Sequence, residues 1–593
     1  MTDRSSRANR ERLSPLWGVA FLVIAALCYY AFYWRCGLML SGEEGVAAVV
    51  AQRLNGGERP IVDTFLGYNL GWFYPIAWLF QLVGPNYLIL RAYFFLLGIL
   101  SGLSTYFIIR LVTRKSLIAL ATGLVVILMP GVIGRNYMGL LGNLGMLAIL
   151  GVFLIPSQKR LGQLLWMIAA GVSTSLAWLI RIDLGFFQTT LFLLTAILYL
   201  FKPEPGFLRR LGSEAIAILI LIGSFLAIQG PVYRDAIQHG FGPQFAQQYW
   251  VWPSLIRNGA FQLARQLSKS RNAPAVTPPT PVSHEENDSS SSVSYNDVSL
   301  KRPPLSDILH APKFKDRVFA LLIYLPVPVA LLFIGWGLFS ILSSWISRSL
   351  GCWQSGGILL VSTGSALVLF PQYFFWRPDM VHLAEFMVPF MVTLVIGLWL
   401  AASAWRNSAS WKRPLLLLIM IPASLDLGLY SIKGWQTDGA GSIAVSRKRH
   451  LEFTALNGVH VKLNPQELAR DTMLRDVILS HSKPGDYVVC YPYFPMVNFM
   501  TDRPSYEYNL YADNALPSPQ FFDQAKLNIE RYHPAVIVIG TGKVNDTESS
   551  RFQNWAFKTY AYIKEHCTLV ASDDEVEIYT LNQGSLQPLK KPH

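Results

Sequence analysis

Two adjacent carboxylates, Glu43 and Glu44, sit in the stretch SGEEGVAAVV directly after the apolar run LWGVAFLVIAALCYYAFYW. Acids beside a bilayer are costly unless they are paired or used, because hydrocarbon offers them no hydrogen-bond partner. The chemistry open to them is that of a general base: a carboxylate in a partly desolvated pocket takes the proton of an attacking hydroxyl or amine. Spacing separates the two. Ser41 followed three residues later by Glu44 fits an S-x-x-E capping box, which predicts a structural use for Glu44. Glu43 stands outside that box and shares a helical stripe with Val46, Ala47, Val50 and Leu54, so it places an acid on an apolar face. A first-turn carboxylate also gains ~0.3–1 kcal/mol from the helix dipole, and on local pattern alone both readings stand. A third acid, Asp63, follows in GGERPIVDTFLGYNLGWFYP.

Fixed cations for a departing anion are offered by WRPDMVHL, residues 376–383. Arg377 supplies a fork of donors and His382 a titratable ring, whereas Asp379 reads as the N-cap of the next helix and Glu385 as a solvated acid. In RIDLG, Arg181 and Asp183 either pair at an exposed interface or line a cavity. Arg135 and Asn136 in GRNYMG give a fainter signal. Tyr68 and Trp72 have rings that can stack on a sugar, although aromatic residues are expected at any membrane interface. Glu43, Glu44 and Asp63 would suit a hard divalent cation such as Mg or Mn, yet their spacing demands none.

The elements that must position these groups are membrane helices. With 52% hydrophobic and 15% charged residues over 593 positions, the chain is too apolar for a soluble protein. Apolar stretches able to cross a ~30 Å core fall near 16–35, 86–110, 116–133, 138–155, 163–180, 185–201, 211–229, 318–345, 356–375, 386–405 and 414–432, about eleven in all. The net charge of +13 lies in short clusters between these runs, which argues for orientation in a bilayer and against nucleic acid. With the N-terminus in the cytoplasm, every inside connection is basic, and the first span reads as a retained signal anchor. The acids and WRPDMVHL then fall together on the extracytoplasmic side, in outer segments that include 41–85 and 230–317.

Within 230–317, PSLIRNGAFQLARQL has the spacing of an interfacial helix, and the Pro- and Ser-rich stretch after it reads as disordered. Residues 1–432 thus form a membrane module. Residues 433–593 alternate strand-like and helical patterns and predict a small extracytoplasmic α/β domain. The five cysteines have no metal-ligand spacing; Cys490 and Cys567 are either a disulfide or two buried thiols.

Several features occur in a telling order: the acid pair after the first span, a juxtamembrane helix ending in a Gly-rich turn before Pro60 and Asp63, an apolar run ending in LVGPN, and Arg91 in LILRAYFFLLG. The tight outer turns, RPDMVHL and the outer segment PGDYVVCYPYFPMVNFMTDRPSYEYN complete the set. Together they resemble bacterial GT-C glycosyltransferases, in the branch related to protein O-mannosyltransferases and lipid A aminoarabinose transferases. The resemblance spans most of the chain. It implies a mainly α, GT-C-like multi-pass protein of the cell (inner) membrane. Such a protein moves a sugar from a polyprenyl-phosphate donor to a lipid, glycan or protein acceptor, usually with inversion. It casts Glu43 as the catalytic base, where the family more often has Asp, with Glu44 and Asp63 as the other candidates. Arg377, His382, Asp379, Arg181, Asp183 and Tyr68 would line the donor cavity, and some members of the superfamily use a divalent metal. Two rivals remain at this point: a transporter or flippase of lipid-linked sugar, and a polymerase or ligase of the same superfamily using a diphosphate-linked glycan.

Overall fold

The computed structural model describes residues 14–582 except 61, 65–68, 130, 132, 155–159, 204–205, 240–301, 408–409, 411–412, 513–517 and 544–547. Tyr68, the basic N-terminal residues, the interfacial helix expected near 253–267 and the Pro- and Ser-rich stretch lie outside the described residues.

Among the described residues, fourteen helices of eleven residues or more precede the C-terminal region: α1 (Pro15–Ala31), α2 (Glu43–Asn55), α3 (Leu70–Val83), α4 (Tyr87–Thr113), α5 (Ser116–Leu128), α6 (Asn136–Leu154), α7 (Arg160–Ile180), α8 (Ile182–Leu200), α9 (Phe207–Gln238), α10 (Phe314–Tyr324), α11 (Pro326–Ser347), α12 (Leu350–Leu367), α13 (Met380–Asn407) and α14 (Arg413–Gly434). Each predicted apolar stretch falls on these helices, with 318–345 divided between α10 and α11. Among the described residues, seven spans are long and apolar enough to cross a membrane, and four shorter apolar helices accompany them. The chain is an integral, multi-pass membrane protein. One apolar helix was not expected as an element: α3 lies inside the outer segment 41–85, and at 14 residues it spans about 21 Å, short of the hydrocarbon core.

Sequential helices pack as antiparallel neighbours, α4 on α5, α6 on α7, α8 on α9, α11 on α12 and α13 on α14. The up-and-down path sorts the turns into two ends. Arg114, Lys115, Arg160, Lys202, Arg210, Arg348, Arg406 and Arg413 fall at one end. The first residues of α4, α6, α8 and α13 fall at the other, and these are where the chemically interesting residues lie. The start of α4 is fixed by Asn86, whose side chain accepts from the Leu88 and Ile89 amides at 2.9 and 3.2 Å.

Beyond α14 the helical path continues through α15 (Ala440–Lys448) and ends in an antiparallel hairpin, β1 (Leu451–Thr454) with β2 (His460–Leu463). There follow α16 (Pro465–His481), β3 (Val488–Tyr491), α17 (Pro495–Thr501), α18 (Ser518–Tyr532), β4 (Val536–Gly540), α19 (Phe557–His566), β5 (Cys567–Ser572) and β6 (Val576–Leu581). The four-stranded sheet has the order β3-β4-β6-β5, with β3 parallel to β4 and the other pairs antiparallel. That order separates Cys490 on β3 from Cys567 on β5 by three strand spacings, about 14 Å, too far for a disulfide. Both thiols are free, and burial pushes Cys567 up to about 11.

The α/β unit is fastened to the membrane module at several points. Asn457 (φ 53°) and Gly458 (φ 62°) make a two-residue hairpin turn of the type that needs positive φ at both centres. The turn sits on the start of α4: the Tyr87 amide donates to the Asn457 carbonyl at 3.0 Å, and a Cβ on Gly458 would lie 2.5 Å from the Asn86 amide nitrogen. The Lys462 amide donates to the Arg35 carbonyl at 2.7 Å, and the Gly37 amide to the Lys462 carbonyl at 2.8 Å. Helix α17 lies directly on α2, where a Cβ on Gly45 would meet the Met496 nitrogen at 2.6 Å. Arg53 of α2 donates to the carbonyls of Ser505 and Glu507 at 2.5 and 2.9 Å.

Candidate active site

Helix α2 begins at Glu43 with Gly42 as its N-cap, and no side chain caps it, so the capping box expected of Ser41 and Glu44 does not form. A stronger partner has taken Glu44. Its carboxylate is 4% exposed, accepts from the Tyr87 hydroxyl at 2.6 Å, and meets Arg91 Nε and Nη2 at 3.2 Å each. Arg91 also donates to the carbonyls of Trp34 and Cys36, both at 3.1 Å, and lies over the Tyr87 ring at 4.7 Å. In the interior this charge-assisted network outweighs a surface cap. Glu44 thereby ties α2 to α4.

Glu43 points the other way. Its side chain keeps 18% of its exposure, and its Oε1 stands 3.6 Å from Arg135 Nη1. Arg135 closes the short helical turn Ile133–Arg135 ahead of α6, and that turn approaches α2 so closely that a Cβ on Gly134 would be 3.3 Å from the Glu43 Cβ. The Nε of Arg135 is also in close contact with Glu385 Oε1 on α13. One guanidinium is therefore shared by two acids. The tighter contact goes to Glu385, which is 7% exposed, and the looser one to Glu43. Glu385 was expected to be solvated; it is buried because a cation 250 positions earlier in the chain turns inward to meet it.

Asp379 performs the predicted cap of α13, accepting from the His382 amide at 2.8 Å, and it also holds the His382 ring through Nδ1 at 2.7 Å. Burial alone would raise the Asp379 carboxyl, but the bonds from His382 and the nearby Arg135 hold it below its ordinary value. His382 is 4% exposed and lies one turn before Glu385 on the same face of α13. Arg377 is half-buried and acts electrostatically on His382, and its side chain makes no hydrogen bond or ion pair with any described residue. Arg181 and Asp183 form a two-bond ion pair at 2.6 and 2.8 Å. Both are 7% exposed, so the pair is buried and not the exposed interface pair that was one reading of RIDLG. It is close enough for Arg181 to act on Glu385. A narrow cleft of about 340 Å³, mouth included, runs past Arg135, Asn136 and Glu385, with Gly98, Ser101 and Val381 among its walls. The starts of α4, α6, α8 and α13 all meet here, and their aligned peptide dipoles give this end a positive bias.

No protein-family model matches this chain, and no curated protein sequence matches it. Solved structures do. ArnT from Cupriavidus metallidurans bound to undecaprenyl phosphate aligns over 97% of this chain and 100% of its own, at 13% identity and a TM-score of 0.50. The apo state of the same ArnT aligns over 97% and 99%, at 13% identity and a TM-score of 0.49. The chain has the fold of ArnT. The expected architecture, mainly helical and multi-pass with small sheets near the C-terminus, is therefore the one observed.

Within this ArnT-like fold the remaining candidates fall away from the cluster. Asp63 stays in its own loop, bound to the Arg59 side chain at 2.9 and 3.0 Å and to the Arg59 amide at 2.8 Å. Those bonds hold its carboxyl below the ordinary value. Trp72 is fully buried against Phe73, Phe94 and Tyr137, so its ring is core and not a sugar platform.

A divalent cation does not fit these acids. Glu44 faces Arg91, Asp63 faces Arg59, Asp183 faces Arg181, and Glu43 and Glu385 share Arg135. Among the described residues no group of three or more His, Cys, Asp or Glu side chains is placed to hold a metal. Each carboxylate is neutralised by a guanidinium where a hard cation would have to sit.

Arg135 and Glu385 are the residues that sequence reasoning undervalued. The signal for Glu385 was its position three residues after His382, which puts both on one helical face. The signal for Arg135 was a cation in a tight outer turn, where the positive-inside pattern does not call for one.

Proposed function

We propose that this chain is a membrane glycosyltransferase that moves a sugar from a polyprenyl-phosphate donor to an acceptor hydroxyl or amine on the extracytoplasmic side, with inversion. The observation that carries the reading is the meeting of Glu43, Arg135, Glu385 and His382 at one end of the bundle. It is supported by a fold whose solved example, ArnT, binds undecaprenyl phosphate. Glu43 is the acid in that group that keeps solvent access and a loose ion pair, as a base must.

In the reaction the acceptor oxygen or nitrogen attacks the anomeric carbon while its proton passes to the Glu43 carboxylate. The bond from that carbon to the phosphate oxygen breaks, and the electron pair leaves with the polyprenyl phosphate. The growing negative charge needs donors already in place, and the half-buried Arg377, the His382 ring oriented by Asp379, and the helix starts supply them. Arg135 lies between Glu43 and Glu385 and offsets the repulsion between them. The Arg181–Asp183 pair walls the donor cavity, and the outer α/β unit faces the acceptor. In this reading the end that carries the basic turns lies in the cytoplasm, in keeping with the positive-inside pattern.

The test is transfer of radiolabelled sugar from polyprenyl phosphate in membranes containing the unmodified chain or Glu43→Gln. Loss of a positioned base lowers turnover about 10²–10⁴-fold with the protein still folded. Full turnover by Glu43→Gln would remove Glu43 from the chemistry. Movement of a lipid-linked sugar across the membrane with no covalent transfer would mark a flippase.

A further inference from the structure

A second cavity, about 310 Å³ with its mouth included, lies at the end of the bundle away from the candidate active site. Tyr199, one of its lining residues, is sixteen positions along α8 from Asp183, about 24 Å at the helical rise. The walls are apolar, with Val152 and Phe153 of α6 and Phe192 and Ala196 of α8 among them. Glu214 of α9 breaks that pattern. It is 5% exposed, lines the cavity, and its Oε1 meets no hydrogen-bond partner.

Helix geometry offers Glu214 a cation, and the fold diverts it. Arg210 lies four residues earlier on the same face, but its guanidinium donates to the Leu200 carbonyl at 3.3 and 3.2 Å and to the Lys202 carbonyl at 3.2 Å. It closes the end of α8, and among the described residues Glu214 faces the cavity without a counter-ion. A carboxylate at membrane depth is strongly disfavoured unless a positive, donating group comes to it. The outer face of α9 is bare, with Leu219 at 66% and Leu226 at 59% exposure, so one layer of helix separates the cavity from lipid.

We infer that this cavity binds the ammonium of a phospholipid with an ethanolamine headgroup. Lys202 and Arg210 mark the level at which the lipid phosphate rests, and Glu214 lies one helical turn deeper, about 6 Å, within reach of a two-carbon arm ending in –NH3+. Aromatic faces assist a cation here: Lys202 Nζ already lies 6.0 Å over the Tyr199 ring and 5.7 Å over Trp353. A trimethylammonium has no N–H to give the carboxylate, a glycerol headgroup has no positive charge, and a serine headgroup brings a second carboxylate against Glu214. A bare metal cation finds few oxygens, because Thr195, Tyr199 and Glu214 are the lining residues with side-chain oxygens and a hard cation takes six or more.

The experiment measures lipid retention on the full-length chain, so its result is independent of whether the chain transfers sugar. Protein is placed in phosphatidylglycerol nanodiscs with a minor fraction of phosphatidylethanolamine, ejected in a mass spectrometer, and its retained lipids are counted. The unmodified chain is expected to keep one phosphatidylethanolamine at least tenfold over Glu214→Gln, and phosphatidylcholine should not replace it. Ala196→Leu, which fills the cavity and leaves Glu214 in place, is expected to lose the same lipid and carries the test if Glu214→Gln melts early in phosphatidylglycerol alone. Equal retention by the unmodified chain and the variants, equal occupancy by phosphatidylcholine, or displacement by sodium alone would each overturn the inference.

Discussion

Removing Glu44 and removing Glu43 should have opposite consequences, although the two acids are adjacent. Glu44→Ala deletes the Tyr87 hydroxyl's acceptor and both Arg91 contacts, three bonds between 2.6 and 3.2 Å in a fully enclosed site. Stripping one partner from a buried ion pair costs about 3–5 kcal/mol, mostly because the surviving charge stays buried. Arg91 keeps two carbonyl acceptors, so the lower end of that range, about 3 kcal/mol, is expected. Glu44→Ala combined with Arg91→Met removes the stranded charge and should recover most of the loss. Glu43→Gln gives up only a partly exposed contact at 3.6 Å, worth no more than about 1 kcal/mol, and should melt like the parent while failing to turn over. Thermal unfolding of the four proteins in one nanodisc composition, read beside the transfer assay, tests all of this. The reasoning fails if the double variant is as unstable as Glu44→Ala, or if Glu43→Gln unfolds earlier than Glu44→Ala.

Arg377→Ala should lower kcat/KM by about 2–4 kcal/mol through lost stabilisation of the leaving phosphate, and an unchanged kcat/KM would exclude it from that role. Gly458→Ala forces a side chain into the left-handed region and against Asn86; a cost of about 1–2 kcal/mol should appear as faster proteolytic release of the α/β unit, and unaltered cleavage would count against the docking described. Burial pushes Asp471 in α16 up to about 6 against the pull of Arg470. A raised acid favours folding while it is protonated, so its contribution is present below the ordinary carboxylate range and lost as pH rises through about 6. Hydrogen exchange of α16 between pH 4 and 7 should show that loss, and Asp471→Asn should flatten it; a profile identical in both proteins would refute the assignment.

Periodicity made the helices of the membrane module and the alternating elements after β2 legible, and α16 runs over the residues its pattern marks, from Pro465 to His481. The two capping patterns explain what was less legible. At Asn464 and Glu467 the reciprocal box forms while Arg449 pairs with the same Glu467 carboxylate. At Ser41 and Glu44 the same local logic loses to Arg91, a residue delivered by another helix. The hairpin β1–β2 carries a readable signal, Asn-Gly between alternating apolar residues. Glu385 and Arg135 belong to the same class as Glu44: charge at a membrane surface reads as solvated until the partner's position in space is known. Sidedness is the exception, since the alternation of basic turns fixed which groups share an end without any contact being visible.

The turn at Asn457–Gly458 also bears on how the molecule is assembled. It rests on the first residue of α4, whose hydroxyl in turn grips the acid next to Glu43, yet it leaves the ribosome 370 residues after that tyrosine. A nascent chain with all its spans inserted therefore has α2 held by the Glu44 network alone and still lacks the contacts of Arg53 and Gly45 with the C-terminal unit. Only the last-made portion completes the clamp on the helix that carries Glu43.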